Sequence, residues 1–409
     1  MKLFKRENYL SKIRPFYHEQ DIIKVITGIR RCGKSSIMEM IKDELLECGV
    51  KESNIIYINL EKRGYKSIKT TEQLESLIDG LTNKTNDLKY LFIDEIQNVK
   101  NFEEAINAYR TDGLYSIFIT GSNSYLLSGE MVTKLTGRYL EFEIFTLNFS
   151  EYLEMKRFYK KQISYNLSDE LTNFIHDGGF PRSIFFDNSN DKRYYVKGIV
   201  DEIFKKDISR HSIIKRKETF EIVRDYVINN AGTTTSVDNI LKDLYKHGLS
   251  LSKSTLLKYL KHLVDAKILY VCDRFDMKSR RMLSGEKKYY LADISLSFVT
   301  NPNSRTNYGQ VLENIFFLYA KSKQYDVYVG RIGQIECDFI LKDQDLNYSY
   351  FQISYTIINS AETEAREYLP LEKIKDNYPK YVLTTDHLIQ KRNGIIHDNL
   401  LAFMVNNKI

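Results

Sequence analysis

The chain has 409 residues, too many for one ordinary core, and 43% hydrophobic with 28% charged residues is the balance of a soluble globular protein. A formal net charge of +6 is modest for this size; it argues against a dedicated nucleic-acid coat and gives a weak pointer to an acidic partner. Cys32, Cys48, Cys272 and Cys337 lack the paired spacing of a disulfide framework or zinc site, which predicts a reducing cytoplasm, and no apolar run or signal peptide predicts a membrane association.

The first third alternates short apolar runs with amphipathic stretches, a pattern that predicts a parallel sheet covered by helices. Residues 22–26, 54–60, 90–93 and 115–120 read as buried strands, with helices at 36–48 and 71–81. From 145 to about 211 the pattern is mostly helical, interrupted by Gly178, Gly179 and Pro181. Residues 237–246 and 252–266 then read as two helices around a turn at Gly248, with Ser252 as N-cap. Leu256, Leu260 and Leu263 form a buried stripe that leaves Lys253, Lys258, Lys261 and His262 outside. A strand at 268–272, a basic loop at 274–288 and a strand at 289–292 complete a winged-helix pattern. After a turn-rich boundary at Asn301-Pro302-Asn303-Ser304 the chain alternates again. A helix is predicted at 309–323 and strands near 325–329, 337–341 and 350–354, then a helix and a final strand.

Between the first strand and helix, Gly28-Ile29-Arg30-Arg31-Cys32-Gly33-Lys34-Ser35 fits the phosphate-binding pattern G-x-x-x-x-G-K-[ST] at every fixed position. A loop that wraps a phosphate closely has no room for side chains at the glycines, and its backbone N–H groups serve as donors. Lys34 brings a positive charge to the β- and γ-phosphates, and Ser35 brings a hydroxyl to Mg²⁺. The helix that begins there, with Ser36 in its first turn, directs its positive dipole end at the anion. Residues 28–36 are therefore the expected nucleotide-contacting segment, with ATP and Mg²⁺ as ligands.

An apolar strand ending in two acids follows, Tyr90-Leu91-Phe92-Ile93-Asp94-Glu95. An acid at the tip of a neighbouring strand holds the Mg²⁺ shell through water, which suits Asp94. A second acid beside it can deprotonate the attacking water, which makes Glu95 the candidate general base. The next strand ends in Gly121-Ser122-Asn123-Ser124, where Ser122 or Asn123 is placed to sense the γ-phosphate; a turn that caps the strand is the alternative. Arg138, in Gly137-Arg138, is a candidate for neutralising transition-state charge in its own site or a neighbour's, against the alternative of a surface salt bridge.

These motifs resemble the AAA-type ATPases of bacteria and archaea, in Ile26–Ser36, in Phe92-Ile93-Asp94-Glu95-Ile96-Gln97 and in Thr120-Gly121-Ser122-Asn123. Leu135-Thr136-Gly137-Arg138, Leu147-Asn148-Phe149-Ser150-Glu151-Tyr152 and Gly178-Gly179-Phe180-Pro181 are similar too, so the resemblance spans nearly the whole chain. It implies an AAA+-like core and a C-terminal domain of unknown function with a nuclease-like fold. The last segment resembles the restriction-endonuclease-like fold, in which a helical Glu, a strand Asp and an E-x-K cluster hold Mg²⁺. Glu313 and Asp338 fit the first two places, but Gln352 and Ser354 stand where the E-x-K would be. Gln352 removes a negative ligand and Ser354 a positive charge, so this domain is expected to be catalytically dead.

The expected architecture is α/β. A P-loop parallel-sheet core of AAA+-like type occupies 1–150 and a helical lid or connector 151–215. A winged helix follows at 216–300 and a degenerate restriction-endonuclease-like α/β domain at 301–409. The expected activity is hydrolysis of Mg-ATP to switch the attached domains, with duplex DNA or a protein client as partner and oligomer formation open. A nucleotide-gated DNA-binding regulator with negligible turnover is the alternative.

Overall fold

The computed structural model describes residues 2–121, 135, 137–208, 214, 216–279, 281–300, 307–358 and 360–408. The chain forms two compact units, residues 1–145 and 146–409.

In the first unit α1 (Glu7–Ile13) precedes β1 (Ile23–Thr27) and α2 (Lys34–Glu47). Then come β2 (Ile55–Asn59), α3 (Thr71–Leu81), β3 (Lys89–Asp94), α4 (Phe102–Thr111), β4 (Tyr115–Thr120) and β5 (Tyr139–Glu143). The five strands run parallel in the order β2-β3-β4-β1-β5. Strands buried on both faces need apolar residues at successive positions, which these runs supply. One face packs Val25, Ile58, Ile93, Ile117 and Ile119 with Leu74 and Ile78 of α3 and Phe102 and Ile106 of α4. On the other, Tyr57, Phe92 and Phe118 stack in series, with ring centroids 5.8 and 4.7 Å apart. Each such side chain is worth roughly 1.5–3 kcal/mol on burial. A single hydrogen bond is worth about 1 kcal/mol net, so the sheet, more than its loops, holds the strand ends in place. Local signals agree with this packing: Thr70 and Gln73 form a capping box that starts α3.

The second unit opens with α5 (Phe149–Phe158), α6 (Leu167–Asp177) and α7 (Ser189–Glu202). The Gly178-Gly179 break between α6 and α7 has a specific cause. Buried Asp293 accepts from the Gly179 N–H (2.8 Å) and from the Ser295 N–H (3.0 Å), and the Leu147 N–H donates to the Gly179 carbonyl (2.7 Å). At Gly178, with φ 72°, a Cβ would lie 2.2 Å from Asp293 Oδ1, so no larger residue fits.

Next come α8 (Lys217–Asn229), β6 (Thr234–Thr235), α9 (Val237–Lys246), α10 (Lys253–Asp265), β7 (Leu269–Asp276) and β8 (Arg281–Leu291). Ser252 caps α10 as its sequence position predicts, accepting from the Thr255 N–H. Leu256, Leu260 and Leu263 are buried, together with Tyr259, whereas His262 is half-buried rather than outside. Burial lowers the His262 pKa, and neighbouring Lys258 adds to the effect. The expected basic loop is mostly strand, because β7 and β8 pair as a long antiparallel ribbon.

The chain continues through α11 (Ser295–Thr300), α12 (Tyr308–Ser322), β9 (Asp326–Ile332), β10 (Ile335–Lys342) and β11 (Tyr348–Ile353). It ends with α13 (Ala361–Lys373), β12 (Lys380–Thr384), β13 (Lys391–Arg392), β14 (Ile395–Asn399) and α14 (Leu400–Val405), so the last element is a short helix rather than a strand. One nine-stranded sheet, β13-β14-β12-β11-β10-β9-β7-β8-β6, takes strands from both sides of residue 300. β7 pairs parallel with β9 through Arg274↔Val329, Phe275↔Gly330 and Asp276↔Arg331. The boundary expected from the turn residues near 301 therefore does not interrupt the sheet.

Candidate functional site

Five parallel strands put their carboxyl ends on one edge, where open α/β sheets bind ligands. Thr27, Asn59, Asp94, Thr120 and Glu143 end β1 to β5 on that edge. Gly28–Gly33 then forms a loop whose last residue is the N-cap of α2, so Lys34, Ser35 and Ser36 occupy the first turn of the helix. Positive φ at Gly28 (138°), Arg31 (68°) and Gly33 (109°) gives the interrupted backbone pattern of an anion nest. A Cβ on Gly28 would lie 2.1 Å from the Ile144 carbonyl oxygen and 2.8 Å from Cys32 Sγ. Ile29 and Cys32 are buried beneath the loop. The Lys34 ammonium donates to the carbonyls of Gly28 (2.9 Å) and Ile29 (3.3 Å).

A brace below the loop was not legible in the sequence. Buried Arg6 donates through one nitrogen to the Cys32 carbonyl (3.1 Å) and the Phe145 carbonyl (3.0 Å), and its guanidinium lies 4.6 Å from the centre of the Tyr9 ring. The Phe145 N–H donates to Tyr9 Oη (3.2 Å), and the Ile144 N–H to the Thr27 carbonyl (2.9 Å). Loop, α1 and the segment after β5 thus interlock.

The acids stand two strands away, with β4 between them and β1. Asp94 is buried, and both its oxygens are engaged. Asn59 Nδ2 donates to Oδ2 (2.7 Å), and the Thr120 hydroxyl donates to Oδ1. Thr120 Oγ1 in turn accepts from the Glu95 N–H (3.1 Å). Glu95 has φ 60° and ψ 47°, a left-handed conformation uncommon for a residue with a side chain. Gln97 Nε2 donates to Glu95 Oε2 (2.6 Å). Burial pushes the Glu95 carboxyl above the ordinary glutamate range; Lys34 and then Arg30 oppose this, and neighbouring Asp94 adds to it. Asn59, Thr120 and Gln97 were missed as site residues. A polar residue at the end of an apolar strand is the signal that Asn59 and Thr120 gave.

The fit to a magnesium nucleotide follows from these donors. Mg²⁺ beside phosphates takes one or two carboxylates plus phosphate oxygens and waters, rather than an all-protein cage. Asp94 and Ser35 offer that minimal set, and no three His, Cys, Asp or Glu side chains converge as a metal cage among the described residues.

Of three further predicted residues, Arg138 is not part of this assembly. Ser122 and Asn123 lie outside the described residues. Arg138 stands at the opposite edge of the sheet: its carbonyl accepts from the Ile23 N–H (2.9 Å), at the start of β1. Five strand residues, about 17 Å at 3.3 Å each, separate that edge from the loop, farther than a side chain reaches. The exposed Arg138 guanidinium donates to Asn107 Oδ1 (3.2 Å), so action on its own nucleotide is ruled out by position.

The nuclease-like residues of the second unit do meet, but each is engaged. Lys288 donates to Glu313 Oε2 (2.9 Å) and pairs with Glu336 (2.9 Å), and Tyr290 Oη donates to Glu313 (3.1 Å). Asp338 Oδ2 accepts from the Ile353 N–H (2.8 Å), and Gln352 Oε1 accepts from the Asp338 N–H (3.1 Å). Gln352 Nε2 donates to Glu367 (3.1 Å). Ser354 follows β11 and donates to the Thr356 carbonyl (3.4 Å). Burial and the nearby Glu313 hold the Asp338 carboxyl well above the usual carboxylate range.

Residues 20–153 match the family model described as an AAA domain, and residues 168–304 match a domain of unknown function. The latter falls on the middle of the chain rather than on 301–409, where the resemblance places one. A protein of Haemophilus influenzae, described as uncharacterized, is 33% identical over 384 residues, 93% of each chain. An uncharacterized protein of Methanocaldococcus jannaschii is 33% identical over 369 residues, covering 87% of this chain and 79% of that one. A Walker-type ATPase of Pyrococcus abyssi is similar in structure, with a TM-score of 0.50 and 16% identity over 73% of this chain and 96% of that one. At that identity the likeness is one of fold.

Gly28→Ala tests the loop directly. The contact with the Ile144 carbonyl and the positive φ should lower stability by about 2–4 kcal/mol and abolish nucleotide binding, read by thermal melting and calorimetric titration. Unchanged melting and binding would show that the close approach at Gly28 is not required.

Proposed function

The chain belongs to the family of AAA-domain proteins that includes those Haemophilus and Methanocaldococcus relatives, and from that premise we propose that it hydrolyses Mg-ATP to switch the parts of the chain beyond its AAA domain. The observation that carries this reading is the shared sheet edge that bears the Gly28–Ser35 loop after β1 and, two strands away, Asp94 and Glu95 tied to Asn59 and Thr120.

Lys34 exchanges its two carbonyl partners for oxygens of the β- and γ-phosphates, and the start of α2 adds its dipole. Ser35 and Asp94 would hold Mg²⁺, which would supply charge neutralisation on the phosphates. Glu95 takes a proton from water as the water oxygen bonds to the γ-phosphorus and the bond to the β–γ bridging oxygen breaks, leaving ADP and phosphate.

The order α8-β6-α9-α10-β7-β8, with β8 between β6 and β7, supports a winged-helix reading of 216–300. Its charges weaken the case for duplex DNA. Arg274 is buried against Glu286 and Glu336, Lys288 against Glu313 and Glu336, and Lys253 pairs with Asp238 (2.9 Å). A protein client is the partner this surface supports better. Helix α12, the antiparallel β9-β10-β11, then α13 and parallel β12 support a nuclease-like reading of the last segment. With its polar atoms engaged in its own core, that segment is inert as a nuclease.

Four outcomes are expected. Glu95→Gln should retain ATP binding while turnover falls about 100-fold or more; undiminished turnover would remove Glu95 from the mechanism. Because burial raises the Glu95 pKa, kcat/KM in the native protein should decline on acidification from a pH above the ordinary glutamate range.

Arg138 serves a second copy's nucleotide in this scheme. Lys34→Ala and Arg138→Ala proteins, each slow alone, should regain turnover on mixing, since one supplies an intact loop and the other an intact arginine. Mixtures no faster than the sum of their parts would sink the trans assignment.

Supercoiled plasmid incubated with the protein and Mg²⁺ should stay intact. Nicking that disappears in Asp338→Ala would overturn the inert assignment.

A further inference from the structure

We propose that Gln97 is a positioning residue for ATP hydrolysis, its side-chain amide holding the Glu95 carboxylate in one orientation; this rests on the reading of Glu95 as the general base. The Glu95 backbone is fixed by its left-handed conformation and by Thr120 Oγ1, 3.1 Å from its N–H. What that anchor leaves undetermined is the side chain. Immediately after Glu95 the chain makes a single 3-10 turn, Ile96–Asn98, which carries Gln97 back over its neighbour but one. Nε2 then donates to Glu95 Oε2 at 2.6 Å.

The turn does not need this side chain. Backbone bonds close it, from the Asn98 N–H to the Glu95 carbonyl (3.1 Å) and from the Val99 N–H to the Ile96 carbonyl (3.0 Å). Ile96 and Val99 anchor it in the core of the first unit. The amide orientation is set by chemistry, since a flip would set Oε1 against Glu95 Oε2, acceptor against acceptor. In the orientation observed, Oε1 is buried without a donor among the described residues. A buried polar atom left without a partner calls for a reason, and the bond to Glu95 at the other end of the same amide supplies one.

A donor to one carboxylate oxygen restricts the rotamers from which the base can meet water. Gln97 therefore touches neither nucleotide nor metal in this scheme and acts through Glu95 alone.

The test uses the full chain with Gln97→Met, which removes the donor, and Gln97→Glu, which replaces it with a second carboxylate of the same size. Mg-ATP affinity should stay within about twofold, while kcat falls about tenfold or more. In a Glu95→Gln background, Gln97→Met should cost nothing more. Unchanged kcat in both variants, with melting temperature and ATP affinity retained, would overturn the proposal. So would a rise in kcat, which would make the amide a restraint on the base. Turnover that persists in Glu95→Gln would instead sink the general-base reading, whatever the Gln97 variants do. Where Gln97→Met lowers the melting temperature, the isosteric Gln97→Glu carries the comparison.

Discussion

At Gly28 the chain leaves β1 so close to the end of β5 that a Cβ would sit 2.1 Å from the Ile144 carbonyl oxygen. That approach allows β1 and β5 to remain paired along their length while the loop between β1 and α2 folds back over their ends. The loop is then held from below by Arg6, whose two acceptors are Cys32 within the loop and Phe145 beyond β5. Without the glycine, either the strand pair or the loop would have to yield. The backbone of that loop, the start of α2 and the seat of Lys34 all depend on this one contact.

The acidic half of the site is built by a different rule. Asp94 and Glu95 are adjacent in sequence but are treated differently by the fold. Asp94 is held at both oxygens by neighbouring strand ends, which leaves it little freedom except as a fixed anchor. Glu95 is turned out of the strand by its left-handed backbone, and its side chain accepts from Gln97 within the following turn. Its charge is contested, with burial on one side and Lys34 and Arg30 on the other. A fixed acid beside a tunable one is the division of labour that a metal anchor and a base require.

The phosphate loop and the strand ending in Asp94-Glu95 were legible because each combines a fixed local spacing with an apolar run, and both signals survive in one dimension. Gly178 and Gly179 were visible as a break, but their cause, Asp293, lies more than a hundred positions along the chain. Asn59, Thr120 and Gln97 are ordinary polar residues whose partners come from other strands or from the geometry of a turn, which no periodicity reveals. Arg138 shows what topology adds to a motif that leaves its own site and a neighbour's both open. Its neighbours suggest chemistry, yet the direction of β5 sets it at the far edge of the sheet. Arg274 and Lys288, read as part of a basic loop, are ion-paired by Glu286 on the same ribbon and by Glu313 and Glu336 from beyond it.

The parallel pairing of β7 with β9 has a consequence for how such a chain can be inherited. Modules that recombine freely meet at loops, and severing them bares no backbone donors or acceptors. Here a cut near residue 300 would strip β7 and β9 of their shared ladder and leave two raw strand edges open to pairing with other chains. It would also separate Lys288 from Glu313 and Glu336, and leave Arg274 with Glu286 but without Glu336. Residues 216–300 and the segment after them are thus locked into a single heritable cassette, which a lineage can keep or lose but cannot trade in halves.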